Sequence, residues 1–392
     1  MRPLVSVIIP THNRPECAVS SIRAVLAASE HIEVVVSDTS EIDGISAAFE
    51  SSPTPRLKLL RPGRPMSVVD NFNFALGEAT GDFLVFIGDD DLVCPEIADV
   101  ARWAQREQIE AISFSFPLLY YWPSFSSTTR WKASSATLVI GPYDGRASRI
   151  DTHAELSVAL RNLGAGVLGM PRAYAGMVSR ELVGRIVQHH GALFGGVSPD
   201  IYSAALISLE SRKTCRLDFP IVIPGASGGS TSGHSASGRH VGGLRANAHI
   251  GAFNNLVWDE RIPEYYSVPT VWGFSLLKAV EDKTQWLLQA DFARLYLKCL
   301  IADPHYKHLV WVSFKAQARR VGAVRALRAT ASALAHETLR IATVMLSRAK
   351  RTSQTSNVQV LSGVADTEQA LEAVRQHRAT SPVSLELSVI AD

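Results

Sequence analysis

Cysteine is scarce in this chain: four residues among 392, namely Cys17, Cys94, Cys215 and Cys299. They stand far apart, without the paired spacing of a zinc site or the density of a disulfide scaffold, and read as reduced thiols. Long apolar runs are missing as well. No stretch reaches the roughly 18 apolar residues that a membrane-spanning helix needs. Charge of one sign is also lacking. The formal net charge is +2, so no overall field attracts nucleic acid and no nucleic-acid partner is expected. No internal repeat marks a solenoid. The first strand-like run begins within five residues of Met1, which leaves no room for a secretory leader and makes the cytoplasm the expected location. Core material is plentiful. With 46% of its residues hydrophobic, the chain can bury one large or two ordinary domains.

Against that background one run stands out. Gly88-Asp89-Asp90-Asp91 follows directly on the apolar stretch Phe83-Leu84-Val85-Phe86-Ile87. Three adjacent carboxylates behind a buried strand repel one another, and an unpaired buried charge costs several kcal/mol. Such a cluster calls for positive charge, and a hard divalent cation, Mg²⁺ or Mn²⁺, prefers carboxylate oxygens and shares them with substrate phosphates. The plainer reading is a solvated acidic turn that caps the next helix, with Pro95 near its start.

The residues before the cluster alternate between strand and helix patterns. Val5-Ser6-Val7-Ile8-Ile9 is a strand-type run stopped by Pro10-Thr11-His12-Asn13-Arg14-Pro15. A helical pattern covers 16–28, and Ile32-Glu33-Val34-Val35-Val36 forms a second strand that ends at Ser37-Asp38-Thr39-Ser40. Residues 57–60 suit a third strand and 71–79 a helix, before the strand at 83–87. This alternation predicts a mainly parallel sheet with helices on both faces. Ligands gather beyond the carboxyl ends of such strands. The loops after the first, second and fourth strands therefore converge on the expected site.

Val5 to Arg14, Val34-Val35-Val36-Ser37-Asp38-Thr39-Ser40, Asn73-Phe74-Ala75 with Gly81-Asp82-Phe83, and Asp89-Asp90-Asp91 together resemble the nucleotide-sugar-binding half of family-2 glycosyltransferases. The resemblance is close over about 1–100 and loose over 170–235. It implies a GT-A (Rossmann-like) α/β fold, a mostly parallel sheet flanked by helices and followed here by a helical C-terminal region. It also implies roles. The loop Pro10, Thr11, His12, Asn13 and Arg14, with Asp38, holds the nucleotide, and His12 stands where a stacking aromatic is common. The Asp-x-Asp motif maps onto Asp89 to Asp91, with Asp91 favoured as direct metal ligand and Asp89 or Asp90 as ribose or supporting partner. Many members carry an acid where Gly88 stands, so the choice among the three stays open. Asp38 also suits a turn aspartate bonding its own backbone, and His12 a plain loop histidine.

Downstream, 111–116 alternates as a strand, and 118–131 holds Tyr120, Tyr121, Trp122, Phe125 and Trp131, suited either to an acceptor site or to core. Residues 152–161 look helical. Ser198-Pro199-Asp200 opens a helix, an ordinary start with Pro in the first position and an acid facing the dipole. The resemblance places the catalytic carboxylate at such a helix, hence Asp200, with Glu181 and Asp218 as rivals. Residues 224–243 contain seven glycines and five serines with Thr231, His234, Arg239 and His240. This reads as a surface loop without a role, or as one closing over phosphates and lending His234 to the metal. Residues 307–351 carry ten Lys or Arg against the single acid Glu337. A basic amphipathic helix there either lies on anionic lipid at the inner membrane face or packs on the catalytic domain. Beyond a linker, 358–361, 366–378 and 385–390 outline a small strand-helix-strand element. The domains expected are 1–245 (nucleotide half 1–100, acceptor half 101–245), a helical region 246–352 and the tail 353–392.

The function expected is inverting transfer of a sugar from a metal-bound nucleotide diphosphate sugar, a UDP-sugar, to a hydroxyl of a glycan or lipid-linked acceptor, as in bacterial surface polysaccharide assembly. One general base, Asp200, suits single displacement, and no second carboxylate is evident for a covalent intermediate. A sugar-nucleotide nucleotidyltransferase is the enzymatic alternative, although the first loop lacks the glycines it would want. A non-catalytic nucleotide-sugar-binding scaffold is the other, against which the retained aspartates speak. Self-association as a homo-oligomer stays open.

Overall fold

The computed structural model describes residues 2–126, 135–229, 241–247, 250, 253, 256–351 and 358–388. Its centre is an eight-stranded sheet. The strands β1 (Val5–Thr11), β2 (Ile32–Asp38) and β4 (Phe83–Phe86) are wholly or largely buried, as near-continuous Val/Ile/Leu/Phe runs require when both faces are covered, while β3 (Leu57–Leu60), at the edge of the sheet, is half-buried. They pair in parallel in the order β3-β2-β1-β4. Helix α1 (Pro15–Ala28) takes Pro15 at its first turn, where the missing N–H costs nothing. Helix α2 (Val68–Glu78) is capped by Ser67, whose hydroxyl accepts from the Asp70 N–H at 3.1 Å.

After the aspartates come the short β5 (Leu92–Val93), helix α3 (Ile97–Arg106) and strand β6 (Ala111–Phe114). The aromatic stretch contains a strand, β7 (Leu118–Tyr121), followed by β8 (Thr137–Ile140), β9 (Ala147–Arg149) and helix α4 (Thr152–Arg161). Tyr120, Trp122 and Phe125 are buried, so these rings serve the core; Trp131 lies outside the described residues. Strand β10 (Gly176–Ser179) inserts antiparallel between β4 and β6 and leads into α5 (Arg180–His190). Helix α6 (Pro199–Glu210) precedes β11 (Thr214–Leu217), β12 (Val222–Ile223) and β13 (Gly225–Ala226).

The short pair β14 (Gly242–Gly243) and β15 (Tyr265–Tyr266) introduces the helical region. It comprises α7 (Val268–Ala279), α8 (Thr284–Leu287), α9 (Phe292–Ala302), α10 (Lys307–Val321) and α11 (Ala323–Arg351). None of the described helices is long and apolar enough to cross a membrane. The chain ends with β16 (Gln359–Ser362) and α12 (Thr367–Thr380). Residues 383–388 form no strand, which corrects the expectation for 385–388; 389 and 390 lie outside the described residues. Strand β16 joins β13, β7 and β8 in a second, four-stranded sheet of order β13-β7-β8-β16. Two large apolar clusters sandwich the central sheet. A third, smaller one lies under the second sheet and joins Leu92, Cys94, Tyr120, Trp122 and Ile223 to Val364, Ala370 and Val374.

Candidate active site

The carboxyl ends of β1, β2 and β4 deliver Thr11, Asp38 and the aspartate run to one edge of the sheet. Asp89, Asp90 and Asp91 are all buried, at 0%, 3% and 4% exposure. The Thr11 hydroxyl donates to Asp89 Oδ2 at 2.5 Å. Arg14, at the mouth of α1, pairs through one terminal nitrogen with Asp89 and through the other with Asp90 Oδ2 at 3.2 Å. Ser227 grips Asp90 Oδ2 twice, by its N–H at 3.1 Å and its hydroxyl at 2.7 Å. Asp91 turns the other way. Its Oδ2 accepts the Gly88 N–H at 2.8 Å and its Oδ1 the Gly225 N–H at 2.7 Å. A Cβ at Gly225 would sit 1.8 Å from the Asp90 carbonyl oxygen, so only glycine brings the backbone close enough for that bond.

Charge here is under-compensated: three carboxylates share one guanidinium. Burial, opposed by Arg14, pushes Asp89 up to about 7. Burial together with the neighbouring Asp90 charge pushes Asp91 to about 7 as well. Among the described residues no three His, Cys, Asp or Glu side chains form a metal-holding group, and both Asp91 oxygens already accept backbone N–H groups. Two carboxylates remain on the Arg14 side, and Mg²⁺ or Mn²⁺ bound with a diphosphate needs only one or two from the protein. Asp89 and Asp90 fit that requirement. His234 lies outside the described residues.

In the first loop, His12 is exposed and its Nδ1 lies 3.1 Å from both the carbonyl and the hydroxyl oxygen of Thr39. The Asn13 N–H donates to the Ser40 hydroxyl at 2.7 Å. Asp38 does form the turn contact, accepting the Ser40 N–H on Oδ1 at 2.9 Å. Its Oδ2 is buried without a hydrogen bond, with the Arg61 guanidinium at 3.5 Å.

Asp200 sits in the first turn of α6 and accepts the Ser198 hydroxyl at 2.7 Å. Its charge acts on the half-buried Arg172, which burial pulls below its usual value and which Asp200 and Tyr174 oppose. The Tyr174 hydroxyl donates weakly to Asp91 Oδ2 at 3.5 Å. The rivals have other surroundings. Glu181 is 84% exposed beside Arg185 and follows Arg180, whose N–H bonds Asp82 at the opposite edge of the sheet. Asp218 is occupied by the Ser115 hydroxyl at 2.6 Å and the Asp144 N–H at 3.0 Å. The sequence reading missed Tyr174, Gly225 and Ser227 as neighbours of the aspartates. Only the glycine content of 224–243 pointed near them.

Residues 6–125 match the profile of Glycosyl transferase family 2. The N-terminal part of this chain is a family-2 glycosyltransferase domain. Its expected GT-A α/β sheet is present, and the chain is a glycosyltransferase. Solved structures resemble the chain at low identity. TarS from S. aureus (residues 1–349, in complex with UDP-GlcNAc) is 14% identical, covers 81% of this chain and 92% of its own, and has a TM-score of 0.45. The mannosyltransferase PcManGT from Pyrobaculum calidifontis, in complex with GDP-Man and Mn²⁺, is 18% identical, covers 97% and 89%, and has a TM-score of 0.39. Neither likeness is close enough to carry a donor or a metal to this chain. No curated protein matches it by sequence.

Proposed function

We propose that this glycosyltransferase moves a sugar, with inversion, from a metal-held nucleotide diphosphate sugar, a UDP-sugar, to a hydroxyl of a glycan or lipid-linked acceptor. The observation that carries the reading is the buried, under-compensated pair Asp89 and Asp90 at the carboxyl edge of a family-2 sheet. Those two, rather than Asp91, would hold Mg²⁺ or Mn²⁺. When bound, the cation supplies positive charge to the leaving diphosphate. Arg14 already neutralises part of the carboxylate charge and offers the diphosphate a donor. Thr11 and Ser227 fix the carboxylate rotamers by hydrogen bonds. The unbonded Oδ2 of Asp38 is an acceptor for a uracil imide N–H, and His12 offers a ring beside it. Asp200, held by Ser198 and the start of α6, takes the acceptor's proton as that hydroxyl attacks. Thermal-shift measurements with UDP- and GDP-sugars, each with and without Mn²⁺, test the donor reading, since ligand binding to the folded state raises Tm. A Tm unmoved by every nucleotide sugar would overturn it.

Peripheral membrane contact belongs to the same proposal. Helices α10 and α11 leave Trp311, Val312, Val324, Leu327 and Leu334 more than half exposed. Lys315, Arg319, Arg320, Arg325 and Arg328 accompany them. Their lone acid, Glu337, is buried against Arg340 at 2.7 Å and Lys298 at 3.8 Å. Arg320 pairs with Glu260 at 3.0 Å, and the helices themselves carry ten cations against that one acid; exposed apolar groups amid this cationic excess suit an anionic bilayer. Flotation with phosphatidylglycerol vesicles, and none with phosphatidylcholine alone, is the expected result. Concentration-dependent self-association without flotation would assign this surface to a second copy of the chain.

A further inference from the structure

Two segments meet on the aspartates, and both are tied down by a part of the chain far outside the family-2 match. The first segment runs from the aspartates through β5 to Glu96. The second runs from Phe219 through β12 to the Gly225–Ser227 backbone that grips Asp90 and Asp91. Strands β5 and β12 pair antiparallel, Val222 with Val93 and Ile223 with Leu92.

Arg378, on the last helix α12, bridges the two. One terminal nitrogen pairs with Glu96 Oε1 at 2.5 Å. The other donates to the Pro220 carbonyl at 2.7 Å. The guanidinium also lies 4.7 Å from the centroid of the Phe219 ring. Its side chain is 15% exposed, so water screens these contacts little.

The same C-terminal element reaches the grip a second way, through the four-stranded sheet. Strand β16 pairs with β8, β8 with β7, and β7 in parallel with β13 itself. The Tyr120 hydroxyl donates to the Val364 carbonyl at 3.2 Å. Its chain neighbours continue the line: the Trp122 N–H bonds the Ala226 carbonyl at 3.0 Å, and the Trp122 indole N–H bonds the Asp90 carbonyl at 2.9 Å. Val364, Ala370 and Val374 of the C-terminal element share one apolar cluster with Leu92, Cys94 and Ile223.

We propose that residues 358–388 complete the aspartate site, with Arg378 as the positioning residue that holds the Gly225–Ser227 backbone on Asp90 and Asp91. The site of this chain is thus assembled from both ends of the sequence. The inference concerns the geometry of the site and does not depend on which nucleotide it binds.

Amide hydrogen exchange of the full-length protein tests it without any ligand. In Arg378→Ala, the Gly225 and Ser227 amides should exchange at least about tenfold faster, since exchange reports local opening. The Thr80 and Gly81 amides, bonded to Glu33 at the opposite edge of the sheet, should keep their wild-type rates. Arg378→Lys retains one of the two links and should give an intermediate acceleration; it also serves if the alanine variant folds poorly. A calorimetric titration with UDP and Mn²⁺ adds a second reading. The loss of affinity in Arg378→Ala should be non-additive with that in Ser227→Ala, because both act on one contact. Unchanged rates at Gly225 and Ser227 in a folded variant would overturn the proposal. So would equal acceleration at Thr80 and Gly81, which would make Arg378 a general stabiliser. Wild-type protein that ignores UDP and Mn²⁺ would count against the donor reading alone and leave the exchange test intact.

Discussion

The central sheet carries buried carboxylates at both of its edges, and the two groups are balanced in opposite ways. At the amino edge, Glu33 of β2 accepts the Ser6 hydroxyl at 2.6 Å, the Thr80 N–H at 2.5 Å and the Thr80 hydroxyl at 2.8 Å, all on Oε1. Lys58 lies 3.0 Å from its Oε2. Burial works to raise its pKa, yet those partners outweigh burial and the net shift is downward. At the carboxyl edge, burial wins, and Asp89 and Asp91 rise to about 7. A carboxylate that its own fold fully satisfies belongs to stability. One that the fold leaves short of positive charge has affinity to spare for a ligand that brings it.

The largest effect that sharpens this contrast is at the chemistry. Asp200→Asn keeps the shape of the helix start but cannot take a proton at neutral pH, so turnover should fall by roughly 10²–10⁴-fold. Donor affinity should stay within about twofold. Full turnover by the folded variant would return the base role to another residue. Asp90→Asn comes next. It removes one of three mutually repelling carboxylates, so the fold should hold or gain stability while Mn²⁺-dependent UDP affinity drops by at least about tenfold. If affinity instead survived and stability fell, the carboxyl edge would be structural after all, and the contrast would collapse.

How much of this was open to a reader of the sequence depends on the range of each contact. The strands β1, β2 and β4 announce themselves because Val5–Ile9, Ile32–Val36 and Phe83–Ile87 are local apolar runs with polar stops. The aspartates do so because three like charges in a row are chemically costly. Strand β10 is four residues long and starts with a glycine, so nothing local marks it as the antiparallel insert between β4 and β6. The second sheet draws its four strands from positions 118–121, 137–140, 225–226 and 359–362, and no periodicity links such distant pieces. Ser227 and Tyr174 acquire their roles from residues far away in the chain. The surroundings of Asp91 were hidden for the same reason, since its oxygens accept the N–H groups of Gly88 and of Gly225, 134 positions away.

At the amino edge the expected loss is of stability alone. Glu33→Ala strands the Ser6 and Thr80 donors and the Lys58 charge, which should cost about 2–3 kcal/mol. Equilibrium urea unfolding gives that number, and UDP affinity of the folded fraction should not change. A variant with normal stability and lost UDP binding would reverse the assignment of the two edges.

The smallest effect is one of pH, and its sign follows from the direction of the Glu33 shift. The unfolded chain holds this proton near the ordinary glutamate value of about 4.3, whereas the folded protein releases it at a lower pH. Above the unfolded value both states are ionised, and the full stabilisation is present. As pH falls below about 4.3, the unfolded state binds the proton first. Stability then declines until the folded pKa is passed, at no more than about 1.4 kcal/mol per pH unit for a single group. Glu33→Gln lacks this proton in either state. The gap in urea midpoint between wild type and Glu33→Gln should therefore be constant from pH 7 to 5 and narrow below about 4.3. A gap that stayed fixed down to pH 3.5, or that narrowed between pH 7 and 5, would show that Glu33 is not held by its partners as a charged group.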